Sequence, residues 1–450
     1  MADDTGRANG RGAPAATVPR RKEMSRRRQL FFLVAFSAAV SLVTAVSAGA
    51  AAKELVFVAG WGGEGGDKLA EICANFSAQT GIKATYEKSD DVEAFIRTRI
   101  AGGNPPDVAL QTRPAVIGEF VKGGNLTRLD GPAGQEVFKP GELEAIYPAS
   151  LLALSKVNGV QYGFSFKADT KSLVFYNPTR FKQLGLSVPR TWDQMMAVAD
   201  KAVAAGVAPF AISGEGWCLS DWFENILIRV TTADNYNNLH ITHKLAWTDP
   251  AVTKALSLMA HIFAARGYLD GGNTGALAMQ YGESVRRVFS TSPTALMMSE
   301  GGFAGNTAMQ DINTSLKEGV TIDFFPFPSI DPKYGDPVMG GADFACLFHD
   351  SPEARKFIRY LATKEPGDIL AKANCVIPSK LPSQSSYTPM VLKQMQQISA
   401  AKTFVFDGSD MAPSAFGGDF EMTKLQDLLA HPGDVDRIAR ELEDFARTVY

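Results

Sequence analysis

The stretch LVFVAGWGGEGGD, residues 55–67, contains the features that decide the fold. Its first five residues form a short apolar run that is typical of a buried strand. The glycines that follow form a turn into residues 67–80, where apolar side chains recur at helical spacing before Gly81 ends the pattern. The apolar face of this helix consists of Leu69, Ile72, Cys73 and Phe76. The stretch therefore predicts a strand followed directly by a helix that packs against it.

The same alternation of strand and helix continues along the chain. The next predicted elements are a strand at 82–86, a helix at 92–101, a strand at 108–110 and a helix at 115–121. A second region of this kind begins with a strand at 173–176 and a helix entered through Thr191, where Gln194 completes a capping box. This alternation predicts an α/β fold with mostly parallel sheets covered by helices.

The first fifty residues do not follow this pattern. Residues 1–23 are polar and rich in Gly, Pro and Ala, and residues 30–46 form an almost uninterrupted apolar or small run preceded by three arginines, Arg26, Arg27 and Arg28. Small residues after the run fit a cleavage site, so residues 1–50 are predicted to be an N-terminal extension and a signal peptide for export to the periplasm. The arginines also resemble a twin-arginine export signal. The alternative is an uncleaved membrane anchor.

Charge and length limit the classes of protein that the rest of the chain can belong to. Residues 1–50 hold eight basic and three acidic side chains, which leaves 37 basic and 45 acidic side chains and a net charge of −8. Because acidic side chains outnumber basic ones, this part of the chain has no excess positive charge to bind phosphate backbones. Nucleic acid is therefore not an expected partner. About 400 residues exceed one ordinary core and predict two domains.

The four cysteines, Cys73, Cys218, Cys346 and Cys375, are too few for a disulfide scaffold, and none lies in a C-x-x-C motif. Whether Cys346 and Cys375 pair in an oxidising compartment stays open at this point.

The glycine turn allows two interpretations. Gly60, Gly62 and Gly65 satisfy the G-x-G-x-x-G spacing between a strand and a helix, with Glu87 at the end of the next strand, which is the context of a dinucleotide-binding site. An exported nicotinamide-dependent oxidoreductase is therefore the alternative function. Against it, the turn carries an indole and carboxylates where a pyrophosphate would need bare backbone N–H groups.

The second interpretation is a platform for a sugar. Sugars present C–H groups on their faces and hydroxyls at their rims, so a sugar site combines aromatic rings with carboxylates, amides or arginines. Trp61 and Glu64 supply this combination at the carboxyl end of a strand, where open α/β sheets bind ligands. The segment around Trp217 and Trp222 repeats the combination.

Several motifs in order resemble the extracellular solute-binding proteins of carbohydrate ABC importers, family 1 type, and in particular their α-glucoside branch. Besides the opening strand with Trp61 and Glu64, they are GNPPDV at 103–108, YGFSFK at 162–167, KSLVFYN at 171–177, PRTWDQ at 189–194, DWFE at 221–224, TALMMSEGGF at 294–303, GGADF at 340–344 and CVIPSK at 375–380. The usual family sequence has Trp where Phe303 stands here, so the resemblance specifies the family more firmly than the sugar.

The resemblance implies a two-lobed periplasmic binding protein fold of type II, with a hinge between the lobes and the ligand in the cleft. By similarity, the first lobe comprises residues 53–166 and 286–341, and the second comprises residues 167–285 and 342–450. The implied function is capture of a sugar, such as an α-glucoside, by a monomer without enzymatic activity or cofactor, which delivers it to separate permease and ATPase subunits. The ligand contacts carried over by position are Trp61, Glu64, Asp90, Gln111, Arg113, Trp217, Trp222, Glu300, Phe303 and Asp343.

A catalytic interpretation was weighed against binding. Exported chains rich in Trp and carboxylates include glycosidases, which need two acids flanking the scissile bond. Asp221 and Glu224 are three residues apart and could share a helix face, although ordinary solvated acids have the same spacing far more often. His240 and His243 lack a third ligand, so no metal site is predicted.

Overall fold

Two β-sheets organise the part of the chain that this computed structural model describes, residues 54–132 and 134–450. The predicted extension and signal peptide, residues 1–50, lie outside the described residues. None of the helices within the described ranges is long and apolar enough to cross a membrane.

The first sheet has six strands, and the strand Val108–Gln111, β3, lies in the middle of its order and is fully buried. The order is β12-β11-β3-β1-β2, and β6 also pairs with β11. The strands are β1 Leu55–Ala59, β2 Ala84–Lys88, β3 Val108–Gln111, β6 Gly163–Thr170, β11 Val338–Leu347 and β12 Phe404–Phe406. A small separate hairpin consists of β4 Lys156–Val157 and β5 Val160–Gln161.

The second sheet has four strands in the order β10-β7-β9-β8. They are β7 Leu173–Tyr176, β8 Ala208–Phe210, β9 Ala295–Ser299 and β10 Asp323–Pro326. Each sheet has its own packed core, so the described chain has the expected α/β architecture with two lobes. The first lobe is built on the six-stranded sheet and the second on the four-stranded sheet.

The helices cover both sheets. In the first lobe and its flanks they are Gly63–Thr80, Val92–Ala101, Pro114–Lys122, Glu142–Ile146, Ala149–Ala153, Pro352–Leu361, Lys364–Lys372, Pro389–Ala400 and Gly408–Met411. In the second lobe they are Pro178–Gln183, Trp192–Ala204, Gly216–Leu227, Ala233–His240, Pro250–Ala264, Gly272–Ala278, Tyr281–Phe289, Phe303–Asn306, Glu421–Ala430 and Val435–Val449. Short 3-10 turns lie at Pro332–Tyr334 and Gln384–Ser386, and π-helical turns at Thr307–Ile312 and Phe416–Phe420.

Local sequence signals explain several helix boundaries. Thr191 caps the helix Trp192–Ala204, since its hydroxyl accepts a hydrogen bond from the Gln194 backbone N–H at 3.3 Å. The Gln194 side chain reaches back to the N–H of Arg190 at 2.8 Å, one residue before the position that a capping box requires. The predicted helix at 67–80 begins four residues earlier, at Gly63, because the glycine turn itself continues into the first helical turn.

The sheets are mixed, which corrects the prediction of mostly parallel sheets. Strands β1, β2 and β3 are parallel, as the alternation predicts, but β6 and β3 both run antiparallel to β11. The physical reason is the chain path. Strand β6 leads the chain from the first sheet to the second, and β11 leads it back from the second sheet to the first.

The same path corrects the predicted lobe boundaries. Strands β9 and β10, within residues 286–341, pair with β7 and β8 in the second sheet. The second half of strand β11, residues 342–347, and the helices Pro352–Leu361 and Lys364–Lys372 were assigned to the second lobe but pack with the first. The chain then crosses a third time after β12, because the last two helices bury their apolar faces in the core of the second lobe.

Candidate ligand-binding site

A cleft of about 1180 Å³ lies between the two lobes, at the carboxyl ends of β1 and β3. Seven of the ten predicted contacts line it: Trp61, Asp90, Gln111, Arg113, Trp217, Phe303 and Asp343. Ligands bind at this end of the strands in open α/β sheets, because neighbouring strands present their following loops there. Side chains that lie far apart in the sequence are thereby brought together.

On the first lobe, Trp61 is held in a fixed orientation. Its indole Nε1–H donates to Asp343 Oδ2 at 2.7 Å, and its backbone carbonyl accepts from the Tyr86 hydroxyl. Asp343 lies on β11 at an irregularity of the register between Asp343 and Phe344. The half-buried ring therefore presents its free face to the cleft without needing to rearrange when a ligand arrives.

On the second lobe, three aromatic rings form one packed surface. The ring centroids of Trp217, Tyr281 and Phe303 are separated by 5.3 to 5.9 Å in each pair. All three side chains are half-buried and line the cleft. Tyr281 was not predicted from the sequence, since it is the first residue of an otherwise ordinary helix.

Two charged residues of β6 were also missed. Lys167 and Asp169 line the cleft, and Lys167 Nζ lies 2.6 Å from Asp169 Oδ2. Burial alone would lower the pKa of Lys167, but the Asp169 and Asp343 carboxylates raise it above its usual value. Side chains two residues apart on a strand lie on one face, so a strand prediction over Gly163–Thr170 would have supplied the signal.

The charged residues at the rim of the cleft form ion pairs with other side chains of the protein. Arg113 Nη1 lies 3.4 Å from Glu93 and its Nε lies 3.7 Å from Asp410. Asp90 is exposed and pairs with Lys88. Ligand hydroxyls would thus meet side chains whose positions are fixed by ion pairs.

Three predicted contacts do not line the cleft. Trp222 is 1% exposed and packs edge-on against Phe210 and Phe327 with both centroid distances at 5.6 Å. Its predicted stacking role is wrong, because the ring belongs to the core of the second lobe.

Glu64 and Glu300 lie behind the cleft surface. The Glu64 N–H donates to Asp311 Oδ1 at 3.1 Å, and its carboxylate faces the Asn306 amide at 3.0 Å. Glu300 is 2% exposed, and burial raises its pKa to about 8. Neither residue lines the cleft in this arrangement, so their contact with a ligand stays a prediction.

The acids of the catalytic alternative are structural. Asp221 accepts from Lys171 at 3.0 Å, and both oxygens of Glu224 are occupied. The donors to Glu224 are the Ser220 and Tyr236 hydroxyls and the backbone N–H groups of Gly408 and Ser409.

One group of described side chains has the spacing of metal ligands. The ligand atoms of Glu224, His240 and Glu421 all lie within 4.8 Å of one another, and all three residues are buried. His240 Nδ1 lies 3.1 Å from the Tyr236 carbonyl, and its Nε2 lies 3.8 Å from Glu421 Oε1. Since Glu224 already accepts four hydrogen bonds, the group is better suited to tie the segment after β12 to the second lobe.

All four cysteines are buried free thiols, so the open question of a Cys346–Cys375 pair is resolved against a disulfide in this structure.

The fold and the cleft together define a two-lobed binding protein. The model of the bacterial extracellular solute-binding protein family matches residues 59–368, and the chain belongs to this family. The resemblance inferred from the sequence motifs is thereby confirmed.

Two curated relatives match most of the chain. The osmoprotective compounds-binding protein GgtB of Synechocystis sp. is 31% identical over 79% of this chain and 83% of the relative. The alpha-glucosides-binding periplasmic protein AglE of Rhizobium meliloti is 29% identical over 84% of this chain and 83% of the relative.

Solved structures share the fold. The bacterial solute receptor AcbH, described with a preference for β-D-galactopyranose, superposes with a TM-score of 0.76 at 22% identity and covers 88% of this chain and 99% of its own. RafE in complex with raffinose gives a TM-score of 0.72 at 19% identity, with 88% of this chain and 99% of its own covered. The two-lobed fold is confirmed by both.

The alternative of a nicotinamide-dependent oxidoreductase is wrong. The chain belongs to a family of solute-binding proteins, and two further glycines of the turn, Gly63 and Gly66, have structural explanations. Gly63 has φ +54°, and a Cβ on Gly66 would lie 2.8 Å from the Trp61 carbonyl oxygen. The Asp311 carboxylate lies at the N-terminus of the helix Gly63–Thr80, where a pyrophosphate would have to bind.

Proposed function

We propose that this protein is the substrate-binding component of an ABC importer and that it captures an uncharged sugar, such as an α-glucoside or another small oligosaccharide. The observation that carries the proposal is the pair of aromatic surfaces on opposite walls of the cleft, Trp61 on one lobe and the Trp217 cluster on the other. The names of the relatives that bind α-glucosides and osmoprotective compounds support the same class of ligand.

The geometry suits a polyhydroxylated ligand. Indole and phenyl faces pack against the C–H faces of a sugar ring, while Gln111, Arg113 and the Asp343 carboxylate lie where rim hydroxyls need partners. The volume exceeds the range of about 300–1,000 Å³ that is usual for small-ligand pockets, so a disaccharide or a longer glucoside has room.

Capture would operate by closure of the two lobes about the three segments where the chain passes from one lobe to the other. A ligand that contacts both walls stabilises the closed state over the open state by its extra contacts. Delivery then requires separate permease and ATPase subunits that distinguish the closed form. We further propose export to the periplasm by the signal peptide within residues 1–50 and action as a monomer without catalysis.

The test is ligand titration of the purified exported protein. Tryptophan fluorescence and calorimetry would be recorded with α-glucoside disaccharides, raffinose, galactose and, as controls, NAD and NADP. A saturable response to a sugar and a rise in thermal stability are expected, since a ligand at 100 times its Kd adds about 2.7 kcal/mol to the free energy of unfolding. A response to no sugar in the panel, or a response to the nucleotides, would contradict the proposal.

A further inference from the structure

A lysine side chain lies between the aromatic walls of the cleft. Lys167 Nζ lies 5.0 Å from the centroid of the Trp61 ring and 5.2 Å from that of Phe303. Trp61 belongs to the first lobe and Phe303 to the second, so this single ammonium contacts both walls at once. The side chain is only 9% exposed, which fixes the charge inside the site.

One carboxylate forms an ion pair with this ammonium, and a second lies opposite it on the neighbouring strand. Asp169 follows on the same face of β6 with its Oδ2 at 2.6 Å from Nζ. Asp343 is the register partner of Lys167 on the neighbouring strand β11, and its other contact is the Trp61 indole N–H. The lysine, the two acids and the indole thus form one connected unit in the wall of the cleft.

The remaining features of this part of the cleft would favour a cation. Aromatic faces attract cations through their quadrupole, and aromatic rings with nearby carboxylates are the usual receptor for quaternary ammonium ions. Here the protein's own ammonium already lies beside the Trp61 and Phe303 rings and is paired with the Asp169 carboxylate. A second cation would have to approach a buried like charge within a site of reduced dielectric, where repulsion is weakly screened.

We propose that Lys167 sets the charge specificity of the cleft. Its ammonium excludes cationic solutes from an aromatic site that would otherwise accept them, and it donates a hydrogen bond to an oxygen of a neutral ligand stacked on Trp61. The second part rests on the proposed function, whereas the exclusion of cations does not.

The experiment compares the wild-type protein with Lys167→Met, Lys167→Arg and a matched control, Lys393→Met. Lys393 has the same types of partner at a more exposed position outside the cleft, since its Nζ lies 2.6 Å from Asp323 and 4.4 Å from the Phe324 centroid. Tetramethylammonium chloride and the disaccharide bound by the wild type would be titrated by calorimetry at constant ionic strength.

Lys167→Met is expected to bind tetramethylammonium at least tenfold more tightly than the wild type, and to bind the disaccharide at least tenfold more weakly. Lys167→Arg and Lys393→Met should show no gain for tetramethylammonium. Because Lys167→Met leaves Asp169 buried without its partner, the double variant Lys167→Met/Asp169→Asn provides a second folded test, with Asp343 still available to the cation.

The proposal is overturned if the wild type binds tetramethylammonium as tightly as these variants, or if a folded variant without the lysine gains no affinity for it. Should the wild type bind no sugar at all, the proposed function fails, and the tetramethylammonium titrations still decide the exclusion of cations.

Discussion

Two tryptophans on one helix are expected to respond in opposite ways to the same substitution. Trp217 and Trp222 both lie on the helix Gly216–Leu227. Five residues place them about 140° apart around the helix axis, at 3.6 residues per turn. Trp217 therefore faces the cleft, and Trp222 faces the core of the second lobe.

The expected magnitudes follow from these environments. Trp222→Ala removes a ring that is 1% exposed and packs on Phe210 and Phe327, so the free energy of unfolding should fall by about 3–5 kcal/mol, the range for such core truncations. Trp217→Ala loses two aromatic contacts at a half-exposed position, which corresponds to about 1 kcal/mol.

Ligand affinity should show the reverse order. Loss of a central stacking ring costs about 2 kcal/mol or more of binding free energy, which corresponds to a roughly 30-fold rise in Kd. Trp217→Ala should show this rise, while Trp222→Ala at a temperature where it is folded should bind within about threefold of the wild type, because most effects of a core truncation fall on stability.

The assays are urea unfolding followed by circular dichroism, and calorimetric titration with the disaccharide. Equal losses of stability in both variants would show that Trp217 is also a core residue. A loss of affinity in Trp222→Ala that matches that of Trp217→Ala would refute the division of the helix into a cleft face and a core face.

Two further predictions concern a buried acid and the glycine turn. Since burial raises the pKa of Glu300 to about 8, the folded protein keeps a proton that the unfolded chain releases near its usual pKa of 4.5, so the stability linked to this group is present below pH 4.5 and is lost as the pH rises towards 8. The stability difference between wild type and Glu300→Gln, measured by urea unfolding, should shift against the wild type by about 1.4 kcal/mol per pH unit in this window, and a difference independent of pH would contradict it. Gly63→Ala should destabilise by about 1–2 kcal/mol, because Gly63 has φ +54° and its Cβ would lie 2.5 Å from the Asp311 carboxylate. Gly65→Ala, whose Cβ has its nearest neighbour at 3.6 Å, is the control for urea unfolding, and equal stability of the two variants would rule out strain at this turn.

The alternation of apolar strands and amphipathic helices was sufficient to predict the elements of the first lobe from β1 to the helix Pro114–Lys122. The helix Val92–Ala101 was predicted with its observed bounds because Asp91 caps its start and Gly102 and Gly103 follow its end. The lobe boundaries were not predictable in this way. The apolar residues of a strand such as β9 predict that the strand is buried. They do not specify which of the two sheets it joins.

The residues of the binding site could also be predicted only in part from the sequence. Trp61 was predictable because a glycine turn after a strand is a position for ligands, and the structure places it in the cleft. Trp222 was placed in the cleft because acids flank it in the sequence, but its helix is buried from Cys218 to Leu227 and Asp221 and Glu224 are buried with it, so these acids do not mark the cleft. Lys167 was missed because a lysine suggests a solvated surface position, whereas this one is buried beside Asp169 of the same strand and Asp343 of β11.

The path of β6 and β11 has a consequence for how this protein could change its preferences over time. Both strands connect the lobes, and both carry groups of the binding surface, Lys167 on one and Asp343 on the other. A substitution that reshapes recognition at either residue therefore also alters the backbone about which the lobes would rotate. New selectivity and a new resting angle between the lobes should arise together, so variants selected for a different solute would need to be screened for delivery as well as for capture.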